Sequence, residues 1–499
     1  MVLLLIAMLC YIFLMHGLKD FIDILEKENE LIRLKKPVSK DLEITEITDR
    51  ICKATPDKNK AILFENVVGY DIPIVTNIFG SEKRISLCFG VKKLEELNNK
   101  ITGLLKFDFK GSIFELLKRG GELFNLFKSF SSEKIVDRPA CQQVIFKNNF
   151  SLNALPIPHI WPKDGGRYIT LPQVITCNPE TGKRNVGMYR LQAMDDKTLI
   201  VHWQRHKHGR EHEDKAKELN IRYIPSAIVI GGDPLCIWAA SAPLPPEMDE
   251  YGLVSFFRGK PLEMAKCITQ PLSVPAHADI VIEGYIDIED MRMEGPFGDH
   301  TGYYTPQALF PSFHITAITM KKDPIYPATI TGIPPMEDFW MGKAVERLAL
   351  PFLKMTLPEI QDINMPSFGV FHNLLIVSIK KRFPGHARKV INALWGMGLI
   401  SLTKAIVVVD HDVDVQDLYR VGWYVLGNVD WLRDTIIMEG PVDQLDHATD
   451  KDSFGGKIGI DATRKFKEEG YNRQWPEIVK MDEEVIKKVD IDWEAAGIF

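Results

Sequence analysis

The sequence predicts a mixed α/β protein in which a central β-rich core, folded as a barrel or a related sheet, lies between two α/β modules. Before about residue 130, helical periodicity alternates with short apolar runs such as Ala61–Phe64. From about residue 144 to 286, short segments with few charges are separated by Gly and Pro, a pattern typical of barrels and other β-rich domains. After Tyr326-Pro327-Ala328, strand and helix patterns alternate again.

The first module, predicted to span residues 15–130, combines amphipathic helices with two short strands. Its first helix is expected to continue until Pro37 stops it. The apolar spacing predicts helices over Leu18–Leu34, Glu43–Cys52, Val91–Lys106 and Ile113–Phe130. The predicted strands are Ala61–Phe64 and Ile72–Val75.

The predicted core covers residues 131–325 and includes a polar helix over Glu211–Leu219. Its strand candidates are Tyr168–Thr176, Asn185–Ala193, Leu199–Gln204, Ser226–Gly231, Leu235–Ala240 and Asp279–Ile286. A third module is predicted over residues 326–472, with strands Leu374–Ile379 and Ala405–Val409 and a helix over Ala387–Trp395. The charged tail, residues 473–499, has no core of its own and is expected to be partly helical and to reach over to a partner subunit in a homo-oligomer.

Composition excludes several classes of protein. Of the 499 residues, 45% are hydrophobic and 26% charged, which is ordinary for a globular chain. The net charge of −6 provides no basic footprint for nucleic acid. Seven cysteines without a C-x-x-C pair argue against a disulfide framework or a zinc ribbon, and predict a reducing, cytoplasmic location.

The N-terminus is almost wholly apolar from Val2 to Met15. This run is shorter than the roughly 20 residues needed to span a bilayer, and it lacks the basic start and cleavage site of a signal peptide. We expect Met15 to be the natural start, with residues 1–14 an upstream extension or a misassigned start. A weak membrane anchor is the alternative, and the intact mass of the native protein distinguishes the two.

Two carboxylates, Glu294 and Asp299, flank the turn Gly295-Pro296-Phe297-Gly298. Gly and Pro restrict the backbone there, so the acids are expected at a fixed separation. Paired acids in unlike surroundings can have their pKa values pushed apart, so that one stays ionised while the other donates a proton. A solvated surface turn is the alternative. The apolar strand leading in and the cluster of His300, Tyr303 and Tyr304 that follows favour a functional site.

Asn185, His206 and Glu250 are candidate metal ligands in the core. An amide oxygen, an imidazole and a carboxylate suit Mg²⁺ or Mn²⁺ better than structural zinc, although no local spacing links the three. The segments 187–190 and 202–209 are dense in hydrogen-bond donors, and their Arg and Lys side chains suit a phosphate-bearing ligand. For most of the histidines at 202, 206, 208 and 212, a solvated polar loop is the simpler interpretation.

Five motifs follow one another between Asn185 and Tyr303, within a family resemblance that extends from about His16 to Thr463, nearly the whole chain. They are Asn185-x-x-x-Tyr189-Arg190, Trp203-x-x-His206-Lys207-x-Gly209, Pro243-Leu244-Pro245 followed by Asp249-Glu250-Tyr251, Gly284-Tyr285-Ile286, and Glu294-Gly295-Pro296-Phe297-Gly298-Asp299-His300-Thr301-Gly302-Tyr303. Each is modest alone, but together they resemble the UbiD family of prenylated-flavin-dependent decarboxylases.

The resemblance implies a split β-barrel that binds prenylated FMN, flanked by an N-terminal α/β module and a C-terminal α/β domain. It implies Arg190, Glu294 and Asp299 as the catalytic trio, with Asp299 as proton donor and an ion pair between Glu294 and Arg190 that tunes it. The implied Mn²⁺ ligands are Asn185, His206 and Glu250, with His208 as a rival for His206. The residues implied to contact the flavin are Met188, Tyr189, Arg190, His202, Trp203, Gln204, Lys207 and His208.

Further expectations follow from the same resemblance. Carbonyls around Ala239, Ala240 and Ala242 match a monovalent-cation site, so K⁺ is a candidate ion. A flavin prenyltransferase is implied as the supplier of the cofactor. Some relatives carry Trp after the metal-binding Asn and Glu at the later acid position, whereas this chain has Val186 and Asp299. Asp is one methylene shorter, which puts its reach to the substrate carbon in question.

The substrate is expected to be a small unsaturated carboxylic acid. The chain looks most like the archaeal branch that converts trans-anhydromevalonate 5-phosphate to isopentenyl phosphate in isoprenoid biosynthesis. A basic group on the C-terminal domain would then bind the phosphate, unless it is simply a solvated helix face; it comprises Lys380, Lys381, Arg382, His386, Arg388 and Lys389. His447 is expected near the ring substituent if the substrate is instead a 4-hydroxybenzoate-like phenolic acid. A flavin-binding reductase on a split barrel, without decarboxylation, is the alternative from another class.

Overall fold

The structure, a computed structural model, describes residues 15–105, 133–205, 207–244 and 248–494. The predicted extension 1–14, the predicted helix Ile113–Phe130 and the candidate ligand His206 lie outside these ranges. Within them, no helix is long and apolar enough to cross a membrane.

The described chain contains the following helices and strands. The α-helices are α1 Leu18–Lys27, α2 Glu43–Cys52, α3 Glu82–Phe89, α4 Glu95–Leu105, α5 His208–Glu218, α6 Pro234–Ala239, α7 Glu250–Arg258, α8 Glu337–Thr356, α9 His386–Trp395, α10 Leu418–Asn428 and α11 Glu483–Glu494. The strands are β1 Leu31–Leu34, β2 Ala61–Phe64, β3 Ile74–Thr76, β4 Glu133–Ile135, β5 Val144–Phe146, β6 Arg167–Ile169, β7 Pro172–Cys177, β8 Arg184–Gly187, β9 Leu191–Ala193, β10 Thr198–Val201, β11 Tyr223–Ile230, β12 Leu262–Lys266, β13 Ser273–Pro275, β14 Ile280–Glu294, β15 Phe297–Gly298, β16 Tyr304–Thr305, β17 Ala308–Met320, β18 Tyr326–Ala328, β19 Ile360–Asn364, β20 Leu374–Ile379, β21 Ala405–Asp410, β22 Thr435–Pro441 and β23 Phe454–Asp461.

A four-stranded sheet in the order β1-β2-β3-β18 organises the N-terminal part. The predicted helix over Leu18–Leu34 is wrong beyond Lys27, and Leu31–Leu34 is a strand paired in parallel with Ala61–Phe64. Asn29 turns the chain with a left-handed φ of 56°, which ends the helix. The last strand, β18, comes from far along the chain, so this sheet draws on residues beyond the predicted module boundary at 325; the predicted boundaries stay predictions.

A nine-stranded sheet curls into half a barrel and forms the centre of the molecule. Its order is β6-β9-β10-β17-β14-β11-β7-β8, with β5 added on β17. The two longest strands, β14 and β17, pair antiparallel from Ile280↔Met320 to Glu294↔Ala308, with register shifts that let them bend. At one shift, a Cβ on Gly284 would lie 2.2 Å from the His314 carbonyl oxygen, so the close approach of the two strands requires glycine.

The strand predicted over Leu235–Ala240 is a helix, α6, and that prediction is wrong. Every residue of α6 is buried, so its apolar run carries no periodicity that separates a helix from a strand. The deciding signal is local: Asp233 caps the helix by accepting a hydrogen bond from the Leu235 N–H at 2.8 Å, and Pro234 occupies the first helical position.

Two further strand candidates of the core are each split. Tyr168–Thr176 divides into β6 and β7, and Asn185–Ala193 divides into β8 and β9. The second break, at residues 188–190, takes the chain out of one strand and into another across the sheet. It places Arg190 between them.

The C-terminal part contains a five-stranded sheet in the order β19-β20-β21-β23-β22, in which β20, β21 and β23 are parallel. The strand Leu374–Ile379 is confirmed, and the helix predicted over Ala387–Trp395 begins one residue earlier. Buried apolar residues cover both faces of this sheet. The 20-residue helix α8 leads into this sheet, and its Arg347 is ion-paired with Glu95 of α4 at 2.8 Å.

Candidate active site

Arg190 lies at the centre of the acid-bearing motif and contacts both of its carboxylates. Its Nε donates to Glu294 Oε1 at 2.9 Å and its Nη2 to Glu294 Oε2 at 3.2 Å, while Nη1 pairs with Asp299 Oδ2. Nη2 also donates to Thr305 Oγ1 at 3.0 Å, and the guanidinium lies over the Phe297 ring at 4.5 Å. The structure therefore brings together the three residues that the sequence placed in one trio.

The backbone around the two acids is held from a separate loop. Glu294 is the last residue of β14, and Asp299 follows β15 directly. The Gly298 N–H donates to Asp164 Oδ1 at 2.7 Å, and a Cβ on Gly298 would lie 2.2 Å from Trp161 Cδ1. Both acids are buried, so the alternative of a solvated surface turn is wrong.

The sequence predicted that the pKa values of the two acids would be pushed apart, and this prediction is wrong because both pKa values are lowered. Burial works to raise the pKa of Glu294, but the hydrogen bond to His202 and the Arg190 charge outweigh it and lower the pKa to about 2. Burial likewise opposes ionisation of Asp299, yet Arg190 and His300 hold its pKa below the ordinary value. Both acids are ionised because one guanidinium lies between them and each also contacts an imidazole.

Asp299 contacts His300, and His300 in turn contacts the C-terminal part of the chain. Asp299 Oδ1 accepts from the His300 N–H at 2.8 Å and contacts His300 Nδ1 at 2.7 Å. The other ring nitrogen, His300 Nε2, lies 3.1 Å from His372 Nε2, and the His300 ring stacks on Phe371. The sequence pointed to His300 but missed Phe371 and His372, which lie more than 70 residues away with no local motif to mark them.

The candidate metal ligands Asn185 and Glu250 lie on adjoining elements. Glu250 Oε2 accepts from the Val186 N–H, next to Asn185, at 3.0 Å, and both side chains are buried. Burial raises the pKa of Glu250 to about 7. A buried carboxylate whose pKa is raised, next to the side-chain amide oxygen of Asn185, fits the binding of a divalent cation. The third predicted ligand, His206, lies outside the described residues.

The rival ligand His208 opens α5, beside the same site. The Gly209 N–H donates to the Tyr189 hydroxyl at 3.1 Å, and that hydroxyl accepts from Asn185 Nδ2 at 3.4 Å. On α5 the His212 ring contacts Thr176 Oγ1 at 2.9 Å and is buried, so His212 is a structural side chain. The choice between His206 and His208 stays open.

Two of the residues predicted to contact a flavin have their rings in the core. Tyr189 packs edge-on against Trp203 at 5.9 Å, and Trp203 Nε1 donates to Glu213 at 2.7 Å. Both side chains are buried in the core. Met188 donates its N–H to the Ala240 carbonyl at 2.7 Å.

The remaining predicted flavin contacts have atoms available to a ligand. His202 Nε2 is buried and has no hydrogen-bond partner among the described residues, although its Nδ1 contacts Glu294. Burial lowers the pKa of Lys207, and Gln204, next to the undescribed segment, is half-buried. The His202 imidazole nitrogen without a partner, next to Arg190, and a buried lysine nearby in sequence fit an anionic cofactor.

The predicted monovalent-cation carbonyls already accept backbone hydrogen bonds. Ala239, Ala240 and Ala242 accept from Ala242, Met188 and Leu244 at 3.0, 2.7 and 2.9 Å. Since a carbonyl oxygen has two lone pairs, each keeps one acceptor site.

Part of the basic group that the sequence predicted on the C-terminal domain is paired with carboxylates. Lys381 Nζ pairs with Glu469 at 2.6 Å, and His386 Nε2 pairs with Glu359 at 3.1 Å, as does Lys389. Lys381, His386 and Lys389 therefore contact acids of their own domain. His447, by contrast, lies against Tyr303 of the acid-bearing motif, with ring centroids 3.9 Å apart.

Three family models together match most of the chain. The N-terminal, Rift-related and C-terminal domains of 3-octaprenyl-4-hydroxybenzoate carboxy-lyase, UbiD, match residues 22–101, 134–334 and 339–462. The chain belongs to the UbiD family. UbiD proteins are carboxy-lyases, so this UbiD protein is an enzyme, a decarboxylase.

Similar UbiD sequences occur in bacteria and archaea. A protein of Aquifex aeolicus is 52% identical over 484 residues, which cover 97% of this chain and 99% of that one. A protein of Archaeoglobus fulgidus is 50% identical and covers 96% and 98% of the two chains. Both relatives are described as uncharacterized, so they support the family and not a substrate.

Solved UbiD-class structures share this fold. The vanillic acid decarboxylase of Sedimentibacter hydroxybenzoicus in its closed form aligns with a TM-score of 0.82 at 28% identity, covering 95% of this chain and 98% of that one. HmfF from Pelotomaculum thermopropionicum in complex with FMN aligns with a TM-score of 0.76 at 28% identity, covering 92% and 97%. An evolved dimeric form of HmfF with prFMN aligns with a TM-score of 0.75, also at 28% identity, with the same coverage.

Proposed function

We propose that this UbiD protein is a non-oxidative decarboxylase of a small unsaturated carboxylic acid that works with prenylated FMN and Mn²⁺. The supporting observation is the buried fork of Arg190 between Glu294 and Asp299. One guanidinium that recognises a carboxylate, next to an acid that can carry a proton, meets the two needs of a decarboxylation site. In this proposal the curled sheet is a split barrel that holds the flavin between an N-terminal and a C-terminal α/β domain.

Each residue of the trio has a role in this proposal. When bound, the modified flavin supplies the electron sink for loss of CO₂ from an sp² carbon. Arg190 binds and orients the substrate carboxylate. Glu294 holds Arg190 in place, and Asp299 protonates the carbon that CO₂ has left. The burial of both acids keeps water from competing for that position.

Mn²⁺ would be held by Asn185, by Glu250 and by His206 or His208. We expect Glu250→Gln to fold normally, since the amide oxygen can still accept the Val186 N–H, but to lose the metal and much of the flavin because the negative charge is gone. Metal analysis and the visible spectrum of the purified protein measure both losses. The matched control is Glu289→Gln, an exposed acid on β14, which should keep both. Full metal and flavin occupancy in Glu250→Gln would remove Glu250 from the ligand set.

For the substrate we propose trans-anhydromevalonate 5-phosphate, converted to isopentenyl phosphate in isoprenoid biosynthesis. The support for this is the general likeness of the sequence to the archaeal branch. Since Lys381 and Lys389 are paired with Glu469 and Glu359, these two members of the basic group give the phosphate no support. A 4-hydroxybenzoate-type acid is the second candidate, favoured by the position of His447 against Tyr303.

A panel of acids tests the function and the substrate together. The enzyme is co-expressed with a flavin prenyltransferase, its expected cofactor supplier, and incubated with phosphorylated and unphosphorylated aliphatic acids and with phenolic acids while CO₂ is measured. We expect release from the phosphorylated aliphatic acid. Release from phenolic acids alone would select the second candidate. Plain FMN bound with or without the prenyltransferase, and no CO₂ from any acid, would favour a flavin-binding reductase of split-barrel type.

The C-terminal domain also exposes an apolar surface that suits a homo-oligomer. On and beyond α10, exposed fractions reach 91% for Tyr419, 74% for Leu426 and 97% for Leu432, with Trp423 half exposed. We expect Trp423→Glu combined with Leu426→Glu to reduce the assembly to monomers, because charges oppose burial of this surface. Light scattering after size-exclusion chromatography measures the mass. Val68→Glu, an exposed apolar residue of the N-terminal part, is the control, and an unchanged mass in the double variant would place the interface elsewhere.

A further inference from the structure

Decarboxylation consumes one proton in each turnover, because a carbon–carboxylate bond is replaced by a carbon–hydrogen bond. The proposed donor, Asp299, is ionised in this structure, since Arg190 and His300 both stabilise its negative charge. An ionised carboxylate cannot donate. Asp299 must therefore receive a proton from a neighbour before it acts.

His300 is placed to be that neighbour. Its Nδ1 lies 2.7 Å from Asp299 Oδ1, and its Nε2 lies 3.1 Å from His372 Nε2. A charged imidazole has two N–H donors and no acceptor, and here each nitrogen faces an acceptor. The surroundings are those that a doubly protonated His300 requires.

The charges around the two rings agree with this protonation state. Burial works to lower the pKa of His300, but Asp299 outweighs it, with help from Asp338 and Asp443, and the pKa is raised. Burial and the charge of His300 lower the pKa of His372 to about 4, against the opposing effect of Asp443. His372 is therefore neutral and accepts the hydrogen bond from His300.

The loop that carries His372 has an unusual backbone. Val370 and Phe371, directly before it, have φ values of +41° and +48°. Left-handed conformations are rare in residues other than glycine, and rarer still for a β-branched residue such as Val370. Such conformations persist where the surrounding structure requires them, often at functional sites. Here they place the Phe371 ring in a parallel stack on His300, with centroids 5.1 Å apart, and His372 at its far nitrogen.

We propose that His300 stores the proton consumed in each turnover and passes it to Asp299, and that His372 keeps His300 charged and oriented. In the transfer, the Nδ1–H bond of His300 breaks and an O–H bond forms on Asp299, leaving a neutral imidazole and a carboxylic acid. Asp299 then gives this proton to the substrate carbon and returns to the carboxylate. Water restores the proton of His300 after the products leave. His300 and His372 are thus positioning residues that act through Asp299, and the inference rests on the proposed function of Asp299.

The test compares pH profiles of turnover in the reconstituted holoenzyme. Because the pKa of His300 is raised, the wild type should keep its rate to a pH above the ordinary value of 6.5 and lose it as the pH rises further. His300→Gln, whose amide can still donate to Asp299, should turn over roughly 10²-fold more slowly and lose this alkaline limb. His372→Leu removes the acceptor and should move the limb to lower pH. His411→Gln, an exposed histidine, is the control and should match the wild type.

A second measurement, which does not depend on turnover, accompanies the pH profiles. NMR of ¹⁵N-labelled histidines should show one imidazolium that titrates above 6.5, is missing in His300→Gln and is shifted in His372→Leu. An unchanged pH profile in His300→Gln, or no such imidazolium in the wild type, would overturn the inference. If the wild type releases no CO₂ from any acid, the proposed function fails, while the NMR titration still decides whether His300 holds the proton.

Discussion

Asp299→Asn is expected to bind metal and flavin as the wild type does and to lose about 10²- to 10⁴-fold in turnover, the usual range for removal of a general acid. Asn has nearly the same shape as Asp but cannot carry the transferable proton. The Asp299 carboxylate pairs with Arg190 and takes no part in the contact between Glu250 and Val186. Its loss should therefore leave cofactor binding intact. The visible spectrum and the rate of CO₂ release measure the two properties separately.

Two further variants complete this experiment. Asp323→Asn changes an exposed aspartate of the same part of the chain and should leave the rate unchanged. Asp299→Glu restores the acid found at this position in some members of the family and should recover part of the turnover, since it adds only one methylene. Near-normal decarboxylation by Asp299→Asn would refute its assignment as the proton donor.

Arg190→Met is expected to abolish turnover and to destabilise the protein by about 3–5 kcal/mol, the usual cost of removing one partner of a buried ion pair. The cost arises because Glu294, which is fully buried, loses the guanidinium that balances its negative charge. Urea denaturation followed by tryptophan fluorescence measures the change in the unfolding midpoint. The double variant Arg190→Met, Glu294→Gln should recover stability but no activity, because the unpaired charge is removed while the carboxylate-binding group stays absent.

The ion pair of Arg190 with Glu294 also predicts how the difference in stability between the wild type and Arg190→Met depends on pH. The pKa of Glu294 is lowered from 4.5 to about 2 in the folded protein, so its ionised form stabilises the fold fully above pH 4.5 and loses this effect as the pH falls toward 2. Without Arg190, burial dominates and the pKa of Glu294 should rise, so protonation relieves the unpaired charge. The difference in unfolding midpoint between wild type and Arg190→Met should therefore narrow from neutral pH toward about pH 4. A difference that is constant over this range would show that the Arg190 charge is not what stabilises Glu294.

Sequence patterns predicted best those elements whose signal is local. Glu43–Cys52, Ala61–Phe64 and Leu374–Ile379 have the predicted bounds. The errors fall where local signals conflict or are silent, as at Leu31–Leu34, which is a strand because a partner strand is available, and at α6, which is apolar on every side. Periodicity reports which face of an element is buried, and it carries no information when all faces are buried or when pairing with a distant strand decides.

The sequence by itself determined the family and singled out Arg190, Glu294 and Asp299 as the proposed catalytic trio, because those residues lie in motifs whose order along the chain is specific. The tertiary structure alone decided how the residues act. It showed that Arg190, together with His202 and His300, lowers the pKa of both acids. It also showed that Tyr189 and Trp203 are core side chains and that Lys381 pairs with Glu469. It also brought His372 to His300 from another domain. The reason is physical, because pKa values and hydrogen bonds depend on burial and on charges within a few ångströms. For residues that are far apart in sequence, only the folded structure sets these distances.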